Sequence, residues 1–447
     1  MKNKNVIMLF AVVIASTLTV NAQQAVSTMG LKDVLAYGLK NSIAIQQTVL
    51  DKEQAEYKVG EVRSSGLPQI DAEGKFQNFP NLPTQLLPGE IVGQPGTQIP
   101  VQFGTEYTTS GTINASQLLY SQEFFTGLRA ARSSRELYEM LKIQSEEDVI
   151  YEVSKAFYKV LELQAQIEVV DSNMAMLTKL ETLMKAQYEN DVVTKTDYSR
   201  VKVNRANLAT NLQSLKTGIE QQTNYLKLLI GMPIQNEIVL QEPEGLEDVT
   251  LSSLQYEKLE PIELKILERQ KALNVLNRKA TNAGYVPTLA LFGSQQWQAQ
   301  RNEFNFFDSD ELWFQQTVWG LQLNVPIFDG LSKHYKSQQN KIDIDKLSLQ
   351  QINAERQLDM QYKNAREQLT NSLASVEVQK ENKELAREVY DQTQMLYKEQ
   401  VSGLTDLLDA EQAFREAQNN YYSEILKFKT SELDLLKSQG QLQSLIN

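Results

Sequence analysis

The middle of the chain carries a helical pattern of hydrophobic positions. Apolar residues there alternate spacings of four and three, at Val149, Val153, Ala156, Val160, Leu163, Ile167, Val170, Met174 and Leu177. Such a seam is typical of coiled-coil helices. Glu181 interrupts the seam, and Met184 and Tyr188 resume it. The pattern predicts one helix from about Ser121 to Glu189, which at about 1.5 Å per residue would span roughly 100 Å.

A second helical segment would return from this long helix. It is predicted from Asp197 to about Leu229, because Gly231-Met-Pro233 is a plausible stop. The two helices would form a helical hairpin. A looser version of the same spacing recurs near the C-terminus, at Leu407, Ala410, Phe414, Ala417 and Tyr421.

Four stretches alternate apolar and polar residues and are predicted as strands. They are Leu67–Phe79, Thr105–Leu119, Val286–Gln298 and Leu312–Phe328. A period of two over about ten residues is typical of a sheet with one apolar and one wetter face. The segment from Pro80 to Pro100 is rich in proline and glycine, which predicts an irregular exposed loop.

Three pairs of segments recur in the same order, which indicates an internal duplication. The pairs are 65–70 with 284–289, 118–121 with 326–329, and 188–197 with 397–406. We therefore predict a first structural repeat over residues 23–233, with a helix, a β-hairpin at about 67–119 and a long helical hairpin at about 121–230. A linker at 234–260 would precede a second repeat at 261–447, with a helix, a β-hairpin at about 286–328 and a helical hairpin at about 331–438.

The first 22 residues have the features of a signal peptide. Lys2 and Lys4 precede a mostly apolar run from Val6 to Val20, and Val20 and Ala22 suit a signal-peptidase site. The run is short for a membrane-spanning helix, which needs about 20 residues. Cleavage near Gln23 would give a secreted or envelope protein, and an uncleaved anchor is the alternative.

Composition excludes several function classes. The 447 residues carry 44 Lys and Arg against 56 Asp and Glu, a net charge of −12 with no basic stretch, which disfavours nucleic acid as a partner. Cysteine is absent and the only histidine is His334, so disulfides, thiolate nucleophiles and His-rich metal sites are excluded. The sequence predicts neither an enzyme nor a metal or cofactor site.

Strands that cross a bilayer must close into a barrel, because an open edge leaves backbone groups unpaired in lipid. Four strands are too few, since the smallest barrels have about eight. Membrane-spanning strands would therefore need several copies of the chain in one barrel, with the helical hairpins as a second cylinder enclosing water. The alternatives are a soluble antiparallel sheet and a periplasmic or secreted coiled-coil scaffold without a membrane barrel.

Several motifs in this order resemble the TolC family of outer-membrane efflux and export channel proteins. They are Leu67-Pro68, Val286-Pro287, Pro326-Ile-Phe-Asp-Gly330 and Leu404-Thr-Asp-Leu-Leu-Asp-Ala410, within the duplicated order of helices and strands. The resemblance implies a mainly α fold with a β-barrel portion. Long helical hairpins would form an α-barrel tunnel, and four transmembrane strands per protomer would give a twelve-stranded barrel in a homotrimer.

The resemblance also implies a function. The chain would be the outer-membrane channel subunit of a tripartite efflux or type I secretion system of a Gram-negative bacterium. It would be a passive, periplasm-spanning export duct gated at its periplasmic end. Its partners would be a periplasmic adaptor protein, a proton-driven or ATP-driven inner-membrane transporter and outer-membrane lipid, and it would bind no cofactor.

The resemblance places a periplasmic gate beside the ends of the hairpins. Asp406 and Asp409 share one helix face, and at the matching positions the family has acids that narrow the entrance. The alternative is that acids in a first helical turn only complement the helix dipole. Thr196, Asp197 and Tyr397 fall where the family places bonds that hold the entrance shut.

The first hairpin differs from the second at the gate. Arg200 stands where a counterpart of Asp409 is expected, and Ser402 replaces an expected tip arginine. Lys195 or Arg200 could take the place of that arginine, so the sequence does not assign the residue that holds the entrance shut.

The turns between the paired helices would dock the adaptor. Their residues are Asp191, Val192, Val193, Thr194, Val401, Ser402, Gly403 and Leu404. The four apolar members of this set could equally pack within their own hairpins. Asp191 and Gln400 stand where the resemblance implies glycine. Asp accepts a left-handed turn fairly well and Gln less so, and Gly403 is available near Gln400.

Overall fold

The computed structural model describes residues 27–93, 95–242 and 261–446. The predicted signal peptide, 1–22, and residues 243–260 of the predicted linker lie outside the described residues. The described part divides into two compact units. The helical unit comprises the described parts of 1–47, 143–261 and 356–447, and the strand unit comprises those of 48–142 and 262–355.

Helices dominate the described chain, as the predicted fold class requires. The first group of elements is β1 (Ser27–Met29), α1 (Leu31–Asn41), α2 (Ile43–Ser64), β2 (Gln69–Asn78), β3 (Thr84–Pro88), β4 (Gln98–Gln102), β5 (Tyr107–Tyr120), α3 (Gln122–Glu189) and α4 (Lys195–Ile230). The second is β6 (Ile238–Leu240), α5 (Ile262–Ala283), β7 (Thr288–Arg301), β8 (Phe314–Asn324), α6 (Ser332–Lys398) and α7 (Leu404–Gln439).

The helices of the two hairpins have nearly equal lengths. Helices α3 and α6 have 68 and 67 residues, and α4 and α7 have 36 residues each. Helix α4 ends at Gly231, whose φ of 72° lies in the left-handed region that favours glycine. The equal lengths agree with a duplication, while the boundaries of the two repeats stay a prediction. None of the described helices has both the length and the hydropathy that a transmembrane helix requires.

The strand unit contains one four-stranded antiparallel sheet in the order β2-β5-β7-β8. The long strands β5 and β7 pair from Tyr107↔Arg301 to Tyr120↔Leu289, with one irregularity next to Leu118. Strands β2 and β8 are the edges of this sheet. Strand β8 carries large apolar side chains in the open: Trp319 is 79% exposed, and Leu321 and Leu323 are each 64% exposed.

Two expectations about the strand unit were wrong in detail. The segment from Pro80 to Pro100 is not wholly irregular, because β3 and β4 pair as an antiparallel hairpin within it. Strand β8 ends at Asn324 rather than near Phe328. Pro326 lacks the backbone N–H that a continuing strand would donate to its neighbour.

The helical unit has three apolar clusters. The first surrounds α1 and the middle of α3, where Val153, Phe157 and Val160 are almost fully buried. The third joins α6 to α7 through residues such as Leu369, Tyr421 and Phe428. The second, here called the tip cluster, comprises Val170, Leu177, Leu180, Met184, Val201, Leu208, Leu404, Leu407 and Leu408. The seam predicted on α3 therefore faces the core, and its interruption, Glu181, forms an ion pair with Arg205 of α4.

Candidate functional site

The turn between α3 and α4, residues 190–194, is here called the first tip. Asp191 has a φ of 54°. Its backbone N–H donates to the carbonyl of Tyr188 at 3.1 Å, and the N–H of Val192 donates to the carbonyl of Gln187 at 2.8 Å. This pair of bonds is the Schellman motif, which requires a left-handed residue just after the helix. The left-handed backbone expected at Asp191 is confirmed.

The turn between α6 and α7, residues 399–403, is the second tip and has the same backbone. Gln400 has a φ of 60°. Its N–H donates to Tyr397 at 3.1 Å, and that of Val401 donates to Leu396 at 2.9 Å. Gln400 thus adopts the left-handed conformation despite the steric contact between its Cβ and its own backbone. The left-handed residue of the second tip is therefore Gln400, while the nearby Gly403 has a φ of −78°.

The helices that follow the two tips are capped in different ways. At the start of α4 the Thr194 Oγ1 accepts from the Asp197 backbone N–H at 3.1 Å and donates to Asp197 Oδ2 at 2.7 Å. At the start of α7 the capping residue is Gly403, which has no side chain to offer. There Asp406 Oδ2 accepts from the Gly403 N–H and from the Ser402 hydroxyl, both at 3.0 Å.

The two predicted gate acids therefore differ. Asp406 caps the start of α7 and lies in its first turn, where the sequence alternative placed an acid that complements the helix dipole, and its side chain is also exposed. Asp409 is exposed one turn later, and within the described residues its carboxylate has no hydrogen-bond or ion-pair partner. Their role in a gate stays a prediction.

Arg200 links the two hairpins. Its Nη1 donates to Thr405 Oγ1 at 2.7 Å, so the first turn of α4 is bonded to the first turn of α7. Two basic residues were considered from the sequence as substitutes for the missing tip arginine. Both are exposed, and Arg200 is the one that bonds to the other hairpin. The arginine of this hydrogen bond therefore belongs to the first hairpin, whereas the resemblance placed an arginine in the second hairpin, at Ser402.

The predicted lock residues are only partly brought together. The Tyr397 hydroxyl donates to the sulfur of Met184 at 3.8 Å. The pKa of Tyr397 is raised by burial and, to a smaller extent, by the negative charge of Asp197. The carboxylate of Asp197 is itself bonded to Thr194, and Thr196 is exposed.

The apolar residues of the tips divide into two pairs. Val192 and Val401 are 66% and 74% exposed. Leu404 is buried in the tip cluster, and Val193 packs against it from outside. Leu404 therefore packs into a cluster formed largely by α3 and α4 of the first hairpin, and the docking role of the tips stays a prediction.

One chemically distinctive residue near the second tip, Glu411, was not predicted from the sequence. Glu411 is 3% exposed, and its Oε1 has no hydrogen bond. Leu407 precedes it by four residues, so the spacing of the seam already placed it on the buried face of α7. Elsewhere in the described residues, no group of three or more acidic or histidine side chains is arranged to hold a metal ion.

Comparison with known proteins identifies the fold. Residues 269–441 match the family model described as outer membrane efflux protein. None of the curated proteins is similar enough to match the chain.

Solved structures of outer-membrane channels match almost the whole chain. The outer membrane protein VceC of Vibrio cholerae is 14% identical with a TM-score of 0.69, and the match covers 92% of this chain and 96% of VceC. The CmeC channel of Campylobacter jejuni is 15% identical with a TM-score of 0.72, covering 92% and 85%. The MtrE channel of Neisseria gonorrhoeae is 17% identical with a TM-score of 0.66, covering 92% and 89%. The resemblance drawn from the sequence is confirmed, together with the fold class.

Proposed function

We propose that the chain is the outer-membrane channel subunit of a tripartite efflux or type I secretion system, because its fold resembles outer-membrane channels and residues 269–441 match the outer membrane efflux protein model. Three copies would form a passive export duct that spans the periplasm and is gated at its periplasmic end. A periplasmic adaptor and a proton-driven or ATP-driven inner-membrane transporter would complete the system. The duct itself would catalyse no reaction and bind no cofactor.

The observation that carries this proposal is a sheet with two open edges. Among the described residues, β2 and β8 each have one side without a partner strand, and β8 exposes Trp319, Leu321 and Leu323. An open apolar edge is an aggregation site in water and leaves unpaired backbone groups in lipid. Pairing β8 of one copy with β2 of the next would remove both edges, and three copies would give a closed twelve-stranded barrel in contact with outer-membrane lipid.

The tips supply the proposed gate. In a trimer Asp406 and Asp409 would place six carboxylates around one axis, where converging like charges attract cations. Asp409 is the more available of the two, because Asp406 also caps α7. Arg200, bonded to Thr405, would hold the hairpins of one protomer together, with Thr196, Asp197 and Tyr397 beside this contact.

The exposed valines supply the proposed adaptor contact. Val192 and Val401 occupy the same position in the two Schellman motifs, and both are open to water. In a trimer the six valines would lie around one axis, and a contiguous exposed apolar patch marks a protein-interaction site. Asp191, Val193, Thr194, Ser402, Gly403 and Leu404 would form the surface around them.

Single-channel recording in a planar bilayer tests the duct and its gate. We expect discrete conductance steps from a particle of about three subunit masses. Asp406→Ala combined with Asp409→Ala should weaken both cation preference and block by multivalent cations. Asp409→Ala alone is the matched variant that keeps the α7 cap, and it should give most of the effect.

Two outcomes would contradict the proposal at different levels. Unchanged selectivity in the double variant would remove the acids from the gate and leave the duct. A soluble particle that never inserts or conducts would remove the duct and favour a periplasmic coiled-coil scaffold without a membrane barrel.

A further inference from the structure

Helix α7 buries an acid in an otherwise apolar face. Leu404, Leu407 and Leu408 lie on this face and belong to the tip cluster. Glu411 follows Leu407 by one helical turn and is 3% exposed. A carboxylate at such a position requires a compensating partner, because burial of a charge is costly.

The partners of Glu411 are weak. Its Oε1 lies 3.9 Å from Arg415 Nε, on the same helix, which is an ion pair but too long for a hydrogen bond. The same oxygen is buried and has no hydrogen-bond partner. Leaving a buried polar group unsatisfied is among the more destabilising arrangements in a protein core.

The neighbouring helices add little charge. On α6, Tyr390 stacks on Phe414 at 5.8 Å between ring centroids. The pKa of Tyr390 is raised by burial, then by the charges of Glu411 and of Asp391.

Helices α3 and α4 contribute apolar side chains to the adjoining cluster, among them Val170, Leu177 and Leu208. Burial raises the pKa of Glu411, and the positive charge of Arg415 offsets part of this effect.

We propose that Glu411 is a proton-binding switch that controls how readily the start of α7 separates from the helices packed around it. With the proton bound, the neutral carboxyl fits the apolar face at low cost. With the proton lost, a buried carboxylate carries a charge while its Oε1 has no hydrogen bond, and separation would let water solvate that oxygen. The link to the gate rests on the proposed function, since α7 also carries Asp406 and Asp409.

The sign of the pH effect follows from the direction of the shift. A carboxyl whose pKa is raised by packing contributes stability that is fully present below its ordinary value, about 4.3. That contribution is lost as the pH rises through the raised pKa. Acid should therefore hold the start of α7 in place, and neutral pH should loosen it. Each unit by which the packed and open pKa values differ changes the equilibrium about tenfold.

Hydrogen exchange of the purified full-length protein tests this switch without requiring conduction. Glu411→Gln replaces the acid with a permanently neutral side chain of the same shape. We expect the backbone amides of residues 404–415 to exchange at similar rates in both proteins near pH 5. Near pH 7.5 the native protein should exchange several-fold faster than the variant, and comparison at the same pH removes the intrinsic pH dependence of exchange.

The matched control is Glu416→Gln. Glu416 is an exposed acid on the same helix and accepts a hydrogen bond from Gln412 at 2.9 Å, so its loss should leave the pH response intact. Arg415→Gln is the second variant, and it should move the transition to higher pH because the partner that favours the charged form is lost. A native pH response identical to that of Glu411→Gln, or no shift in Arg415→Gln, would overturn the proposal.

Bilayer recordings separate this inference from the proposed function. If the native protein conducts and its open probability rises from pH 5 to pH 7.5, Glu411→Gln should abolish that rise. If it conducts with no such rise, the switch does not act on the gate. If nothing conducts, the duct fails, while the exchange comparison still decides whether Glu411 binds the proton.

Discussion

The first and second tips have one backbone and two sets of side chains. Asp191 and Gln400 take the same left-handed conformation within the same pair of hydrogen bonds. The Thr194 hydroxyl caps α4 after the first tip, and the Asp406 carboxylate caps α7 after the second tip by accepting from the Gly403 N–H. The backbone hydrogen bonds at the end of each long helix are the same in both tips, so the turn keeps its conformation although the side chains differ.

The difference between the tips is greatest in packing and charge. The second tip starts α7 with Leu404, buried in the tip cluster, where the first tip starts α4 with the exposed Lys195. Arg200 of the first hairpin occupies the position that Asp409 has in the second. The first hairpin is therefore basic and the second acidic at equivalent places, and the Arg200–Thr405 bond joins them.

The largest expected effect is on packing. Leu404→Ala should lower the free energy of unfolding by about 2–4 kcal/mol, because it leaves a cavity in the tip cluster. Lys195→Ala, the equivalent change in the first tip, should stay within about 0.5 kcal/mol. Urea titration of the purified variants measures both. Equal losses of unfolding free energy in the two variants would contradict the expected difference in packing between Leu404 and Lys195.

The caps should be of equal strength despite their different chemistry. Thr194→Ala and Asp406→Ala each remove a side chain that satisfies an N–H at a helix start, which costs about 1 kcal/mol. Hydrogen exchange at the first turns of α4 and α7 reports each loss locally. A much smaller effect of Asp406→Ala would mean that this carboxylate is held for its charge rather than for capping.

Substitution of the left-handed residues by glycine should raise the free energy of unfolding rather than lower it. Gln400→Gly should raise the free energy of unfolding by roughly 0.5–1 kcal/mol, because glycine adopts the Schellman conformation without steric cost. Asp191→Gly should gain less, since aspartate tolerates that conformation better. Thermal unfolding of the two variants against the native protein provides the measurement. A larger gain at Asp191 would contradict this ranking.

The smallest expected effect on stability is at Arg200. Arg200→Ala removes one exposed hydrogen bond to Thr405, worth about 0.5 kcal/mol or less. Its effect on the resting conductance should be larger than its effect on stability, because the bond joins the two hairpins. Lys202→Ala, two residues further along α4, is the matched control for loss of one positive charge. Equal conductance in the two variants would argue against a linking role for Arg200.

Much of the fold could be read from local pattern. The seam on α3, the alternation in β5 and β7 and the stop at Gly231 each reflect a repeat or a backbone preference within a few residues of sequence. The β3–β4 hairpin was missed because proline and glycine dominated a segment whose pairing depends on two short strands meeting across a turn. Among the candidate site residues, the family's glycines at the positions of Asp191 and Gln400 indicated left-handed turns. Arg200 was one of two basic residues considered for the missing arginine, and Thr405 was not predicted as its partner.

Periodicity and residue preference predicted the long helices, the four strands of the large sheet and the two turns, because these features depend on local spacing and on which residues accept a left-handed backbone. The three-dimensional structure was needed to show which tip residues are buried, that Arg200 bonds to Thr405 and that Glu411 is only 3% exposed. Those features depend on contacts between segments far apart in the chain. Burial and electrostatic partners are set by such contacts, whereas backbone conformation in a tight turn is set by its immediate neighbours.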